Sequence, residues 1–100
     1  MNIDMVKRHF AKKNDWVTRE IAGETIVVPI RSHVGDLDSI YTLNELGTAI
    51  WKFIDGKTSV GQIVESICRD YDIQPEVAQK DILDFLGSIE AAGLIRGVEI

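Results

Sequence analysis

Residues 39–56 read SIYTLNELGTAIWKFIDG, and within this stretch the chain changes from a strand pattern to a helix pattern. Residues 39–43 are rich in β-branched and aromatic side chains, which favour a strand. Asn44 suits the N-cap of a helix, because its side-chain oxygen can accept a hydrogen bond from a free amide in the first turn. Asp55 and Gly56 end that helix, since glycine readily adopts the left-handed conformation found there. The stretch predicts a strand followed directly by a helix.

Two further strands are predicted before this stretch. Residues 16–21 alternate with a period of two, which is typical of a half-buried strand. Residues 22–24 supply a turn, and residues 25–30 are dense in β-branched side chains. Pro29 has no amide hydrogen to donate, so the second strand is expected to run along a sheet edge there. Together they predict a hairpin, followed by a polar loop over residues 31–38.

Two helices are predicted after the first one. Thr58 or Ser59 can cap the earlier of the two. The other begins with a proline and spans residues 75–92, with Gly93 as its stop and Leu94 expected to fold back onto its end. The apolar face of the earlier helix is predicted to comprise Val60, Ile63, Val64, Ile67 and Tyr71.

The last helix has an apolar arc that is wider than one core requires. Leu83 and Leu86 fall to one side of the predicted core stripe, with Gln79 and Glu90 beside and between them. Two interpretations stay open: a helix buried over a wide face, and a helix that forms one wall of a groove. The predicted core stripe comprises Ala78, Ile82, Phe85, Ile89 and Ala92.

Gly47 lies inside the predicted first helix, where glycine costs about 0.5–1 kcal/mol relative to alanine. A neighbouring element is therefore expected to approach the helix closely at this position. Gly61 and Gly87 have no comparably clear interpretation.

Three strands followed by three helices predict an α+β fold. The arrangement is winged-helix-like, with a three-stranded antiparallel β-sheet followed by a three-helix bundle. One domain fits the length of 100 residues. Residues 1–14 are predicted to form a basic N-terminal arm with a short helix, on which Ile3, Val6 and Phe10 are spaced along one face.

Composition excludes several classes of protein. Apolar residues make up 45% of the chain and charged residues 27%, as in ordinary folded domains, so a disordered chain is excluded. The net charge of −5 argues against nucleic-acid binding, which depends on clustered cations. The longest apolar run, residues 26–30, falls far short of the roughly 18 residues of a membrane span. No secretory signal is present, so a cytoplasmic location is expected.

The sequence contains no set of residues typical of a catalytic or metal site. His9 and His33 have no metal-ligating residue at ligand spacing. Asp36 and Asp38 resemble the start of a calcium loop that lacks its glycine and its final glutamate. Residues 56–58 resemble the end of a phosphate loop that lacks its first glycine. We expect no enzymatic activity, no metal and no cofactor.

Two kinds of binding protein stay open. A nucleic-acid-binding winged helix would insert its third helix into the major groove. That helix carries four carboxylates and one lysine, so it would repel phosphates. A sheet edge beside an apolar helix is better suited to binding a peptide as an added strand. Nucleic-acid binding and a general protein-interaction adaptor are kept as alternatives.

Residues 43–51 together with residues 54–58 resemble the "LN-x-x-G-x-x-I-W … D-G" stretch of the PqqD family. This family comprises the pyrroloquinoline quinone (PQQ) biosynthesis protein D and related recognition elements for ribosomally made, modified peptides. The likeness extends over roughly residues 16–96. It continues through Ile63, Tyr71, Val77, Asp81, Phe85, Leu86, Gly93, Leu94 and Ile95.

The resemblance implies a non-catalytic chaperone that binds the leader of a precursor peptide and presents it to a modifying enzyme, such as a radical S-adenosylmethionine (SAM) enzyme. Residues 15–100 would then be a PqqD-like peptide-binding domain, acting as a monomer or weak dimer without a membrane partner. In such domains the leader adds as a strand beside the third strand and packs along the third helix. The peptide-binding residues implied here are Ser39, Ile40, Tyr41, Thr42, Leu43, Gln79, Leu83, Leu86 and Glu90.

Overall fold

The computed structural model describes residues 3–30 and 40–99. The predicted loop and Ser39, at the start of the predicted third strand, lie outside the described residues. In chain order the elements are α1 (Ile3–Val6), β1 (His9–Lys12), β2 (Trp16–Ile21), β3 (Glu24–Pro29), β4 (Tyr41–Leu43), α2 (Glu45–Lys52), β5 (Asp55–Ser59), α3 (Val60–Tyr71), α4 (Pro75–Ala91) and β6 (Ile95–Val98).

The strands form two antiparallel sheets of three strands each. Sheet B has the order β2-β3-β4 and contains the predicted hairpin and third strand. Sheet A has the order β5-β1-β6 and was not predicted. Its strands have only four or five residues each, too few for a clear alternation, and β5 consists of residues that favour turns. The prediction of a mixed α+β fold is confirmed, whereas the prediction of one sheet is wrong.

The N-terminus of α2 is capped as the sequence predicts. The Asn44 side chain accepts a hydrogen bond of 2.8 Å from the Gly47 amide. A Cβ atom at Gly47 would lie 3.3 Å from the Leu43 Cβ and 3.4 Å from the Phe85 ring, which confirms the expected close approach. Glycine therefore allows β4, α2 and α4 to meet at this point.

The boundaries of α3 and α4 also follow local rules. Ser59 and Gln62 form a reciprocal capping box at the start of α3. Gly93, with φ +86°, ends the last helix, and the Leu94 amide then donates to the Ile89 carbonyl at 2.9 Å. Leu94 is fully buried, which confirms that it folds back. Tyr71 is exposed, so the prediction that it belongs to the core face of α3 is wrong.

The core corrects the predicted stripe of α4. Leu86 is only 1% exposed, whereas Phe85 is half-buried at the margin. The stripe is shifted because neighbouring elements pack against α4 along the line of Ala78, Ile82, Leu86 and Ile89. The other buried apolar residues are Phe10, Val27, Leu43, Ile50, Trp51, Ile54, Val60, Ile63, Val64, Ile67, Leu94 and Ile95.

The predicted N-terminal arm is a structural part of the domain. Phe10 lies on β1 rather than on the short helix, and β1 is the central strand of sheet A. The Phe10 side chain is 3% exposed, because burying its aromatic surface stabilises the fold. Backbone pairing on both sides of β1 satisfies its amides and carbonyls. Within the described residues, the predicted arm therefore includes the central strand of sheet A.

Candidate functional site

The site implied by the sequence centres on strand β4, which lies at an edge of sheet B. Among the described residues, β4 pairs only with β3, in the register Val27↔Tyr41 and Thr25↔Leu43. Alternate residues of an edge strand direct their amides and carbonyls away from the paired side. β4 therefore offers backbone groups that a further strand can bind.

The side chains of β4 alternate between the two faces of sheet B. Leu43 is buried in the core, Thr42 is exposed, and Tyr41 is half-buried on the same face as Leu43. The Tyr41 ring packs edge-to-face on Trp16, with 5.7 Å between the ring centroids. Ile40 precedes the strand and is 45% exposed. The strand thus presents an aromatic side chain toward the helices and a polar one on the opposite face.

One side of α4 faces the same region as β4. A Cβ atom at Gly47 would lie within about 3.4 Å of both the Leu43 Cβ and the Phe85 ring. Phe85 is therefore the α4 residue beside Leu43. At the far end of the helix, the Trp16 indole donates a hydrogen bond of 2.9 Å to the Gly93 carbonyl. We refer to the region bounded by Trp16, Tyr41 and Phe85 as the β4–α4 surface.

Two of the implied helix residues contact other elements. Gln79 lines a cleft between α1 and α3. Glu90 pairs with Arg8 at 3.2 Å, next to sheet A. On the helical wheel Glu90 falls between Gln79 and Leu83, and Leu86 is buried beside Gln79. The assignment of Gln79, Leu83, Leu86 and Glu90 to a wall beside β4 stays a prediction.

Helical periodicity alone does not decide this assignment. A buried stripe has two flanks, and spacing alone does not determine which flank lies beside a given strand. In the structure, the flank with Phe85 also carries Asp81, Ser88 and Ala92, which lie within about 60° of it at 100° per residue. Phe85 belongs to the sequence pattern that resembles a known family, which was a signal for a role at the site. Its helical spacing had assigned it to the core instead.

Among the described residues, the groups with clearly shifted pKa values are Lys12 and Asp55, which lie on sheet A and not on β4. Burial lowers the pKa of Lys12, whose ammonium lies 5.1 Å from the Trp51 ring centroid, and the charge of Asp55 partly offsets that effect. The amide of Lys57, followed by those of neighbouring residues and the Thr58 hydroxyl, lowers the pKa of Asp55. The Asp55 carboxylate thus caps a turn of the backbone.

Two negative findings apply to the described part of the chain. No group of three or more His, Cys, Asp or Glu side chains within residues 3–30 and 40–99 could hold a metal ion. None of the helices in these ranges is both long and apolar enough to cross a membrane.

Comparisons with known proteins agree with this fold. One solved structure, TbiB1 in complex with the TbiA(beta) leader peptide, has a TM-score of 0.74 and 20% sequence identity, and covers 90% of this chain and 99% of that chain. No curated protein matches the chain. The family model of Coenzyme PQQ synthesis protein D (PqqD) matches residues 24–95, well over half of the chain. The chain therefore belongs to the PqqD family.

Proposed function

We propose that this protein is a non-catalytic peptide chaperone, which binds the leader of a ribosomally made precursor peptide and presents it to a modifying enzyme. Membership of the PqqD family supports this role. The similar fold of TbiB1, solved with a leader peptide, supports it as well. The observation that carries the proposal is the edge strand β4 beside a half-buried aromatic flank of α4.

The leader would bind as a fourth strand of sheet B. Its backbone would pair with residues 40–43, and Ser39 stays a predicted contact outside the described residues. Side chains two apart on the leader would face the β4–α4 surface and contact Tyr41 and Phe85. Backbone hydrogen bonds would supply affinity in this arrangement, and the aromatic side chains would supply selectivity.

The helix contacts in this proposal differ from those implied by the sequence. Phe85 takes the role that was expected of Leu83, because it lies beside Leu43. Leu86 acts only through the core on which this surface rests. Sheet B and helix α4 form the winged-helix-like arrangement in this proposal. They would bind a peptide rather than the groove of a DNA duplex. A radical SAM enzyme is the class of modifying enzyme that the PqqD family suggests.

Calorimetry separates this function from nucleic-acid binding. The probes are a synthetic leader, taken from a short precursor encoded beside this chain's gene, the same leader with its residues scrambled, and a generic DNA duplex. We expect binding of the native leader alone, with a weak dependence on salt, because strand addition relies on backbone hydrogen bonds and apolar contacts. Strongly salt-dependent binding of the duplex without binding of the leader would contradict the proposal.

A further inference from the structure

The outer face of sheet A carries cationic side chains that the proposed leader site does not use. Phe10 on β1 points into the core, so its neighbour His9 lies on the opposite face of the sheet. The register places Ser59 and Val98 on either side of His9. These three residues form a row across sheet A, away from the core.

An open cleft of about 630 Å³ lies at this row. Its lining includes Lys7, His9 and Lys57, and no carboxylate of the described residues lines it. Neither lysine takes part in the ion pairs found within residues 3–30 and 40–99. Glu99 lies in an adjoining cleft, beside Lys7 and Arg8. We refer to the first cleft as the sheet A cleft.

The nearest acidic side chain on β5 is already engaged. The Asp55 carboxylate accepts hydrogen bonds of 2.8 Å from the amides of Lys57 and Thr58, and one of 3.1 Å from the Thr58 hydroxyl. The sheet A cleft is therefore locally positive in a chain whose net charge is −5. A local positive potential of this kind attracts anionic groups.

Two of these lining residues come from a part of the chain that the family model does not include. Lys7 and His9 precede residue 24, where the match to the PqqD model begins. Val6 and Val98 add aliphatic surface to the same cleft. The composition of the cleft, cationic with an aliphatic part, suits a segment in which acidic and small apolar side chains alternate.

We propose that the sheet A cleft binds an acidic segment of a partner protein. Carboxylates of that segment face Lys7 and Lys57, and an apolar side chain between them lies against Val6 and Val98. Nucleic acid is the less suitable ligand, because two lysines and a histidine neutralise too few phosphates in a chain of net charge −5. The cleft shares no lining residue with the β4–α4 surface, so this proposal does not depend on leader binding.

Amide chemical-shift mapping on the full chain tests this proposal. The probes are a blocked hexapeptide that alternates glutamate and alanine, its counterpart with lysine in place of glutamate, and a DNA duplex. The acidic hexapeptide should shift the amides of His9, Lys57 and Val98. The lysine peptide should leave them unchanged. The dissociation constant should rise with salt, because the cations are exposed.

Matched charge reversals locate the binding. Lys57→Glu or Lys7→Glu should weaken binding of the acidic hexapeptide by about fivefold or more. Each variant removes one exposed ion pair and adds repulsion. Lys80→Glu, on the exposed face of α4, changes the net charge equally and should alter affinity by less than about twofold. Equal losses in all three variants, shifts outside sheet A, or tighter binding of the duplex would overturn the proposal.

Discussion

Phe85 is the residue whose role changes most between sequence and structure. Its ring lies beside Leu43, at the end of β4, and it is half-buried at the edge of the core. Leu83 is also half-buried, on the opposite flank of α4. The two residues therefore provide a matched pair of variants on one helix.

We expect Phe85→Ala to weaken leader binding by roughly 1–2 kcal/mol, because part of an aromatic contact surface is lost. Leu83→Ala should leave the dissociation constant nearly unchanged. Calorimetry with the synthetic leader measures both, after circular dichroism has shown that each variant is folded. A larger loss in Leu83→Ala than in Phe85→Ala would restore the assignment made from the sequence.

Asp55 makes stability depend on pH through its hydrogen bonds. Because the folded state lowers its pKa below the ordinary value of 3.8, its carboxylate stabilises the protein above that pH. The contribution is lost as the pH falls through the lowered value. Asp55→Asn should therefore be less stable than the wild type at about pH 7, and this difference should shrink at about pH 2, as measured by urea unfolding. A difference that persists unchanged at the lower pH would refute this role.

At the scale of elements, α1 and α3 meet at Gly61. A Cβ atom there would lie 2.5 Å from the Val6 Cγ1, so in Gly61→Ala the Val6 side chain or α1 must shift. We expect a loss of about 1–3 kcal/mol of stability from overpacking, although alanine favours a helix interior by about 1 kcal/mol.

Thermal and urea unfolding measure this loss. Val6→Ala removes the clashing methyl groups, so the double variant Val6→Ala, Gly61→Ala should be less destabilised than the sum of the two single variants. If Gly61→Ala alone raises the melting temperature, helix propensity dominates and the close packing of α1 has no energetic importance.

Several helix boundaries were predictable because their determinants lie within a few residues, whereas the predicted end of the first helix at Asp55 and Gly56 is wrong, since α2 ends at Lys52 and both residues lie in β5. Asn44, Ser59 and Gly93 act on amides and carbonyls of their own helices, and the structure has them in these roles. Sheet A depends on pairing between residues far apart in sequence, such as His9 with Val98. Short strands carry little periodic signal, so this sheet could not be predicted from local patterns.

In the candidate site, too, the local features were predictable from the sequence and the long-range contacts were not. Strand β4 and its place at a sheet edge follow from local pattern and from family resemblance, and the structure contains both. The flank of α4 that faces it depends on how far the helix is rotated about its axis. Contacts on the other flank, such as the pair of Arg8 with Glu90, join residues far apart in sequence, which local patterns do not show.

At the scale of the whole molecule, residues 1–12 complete the fold. Without them, β5 and β6 would lose the strand between them, and the core would lose Phe10. Deletion of residues 1–12 should therefore remove cooperative unfolding, or lower the melting temperature by more than about 10 °C, since a buried aromatic residue alone contributes about 3–5 kcal/mol. Deletion without a change in melting temperature would show that the segment is an independent arm.

The central claim is that a leader peptide adds to β4 as a strand. Hydrogen exchange at single-amide resolution, with and without the synthetic leader, tests this most directly. We predict that an outward amide among residues 40–43 becomes protected on binding, while amides already paired with β3 change little. Protection that appears only in α2, α3 or sheet A, with residues 40–43 exchanging as fast as in the free protein, would contradict the claim.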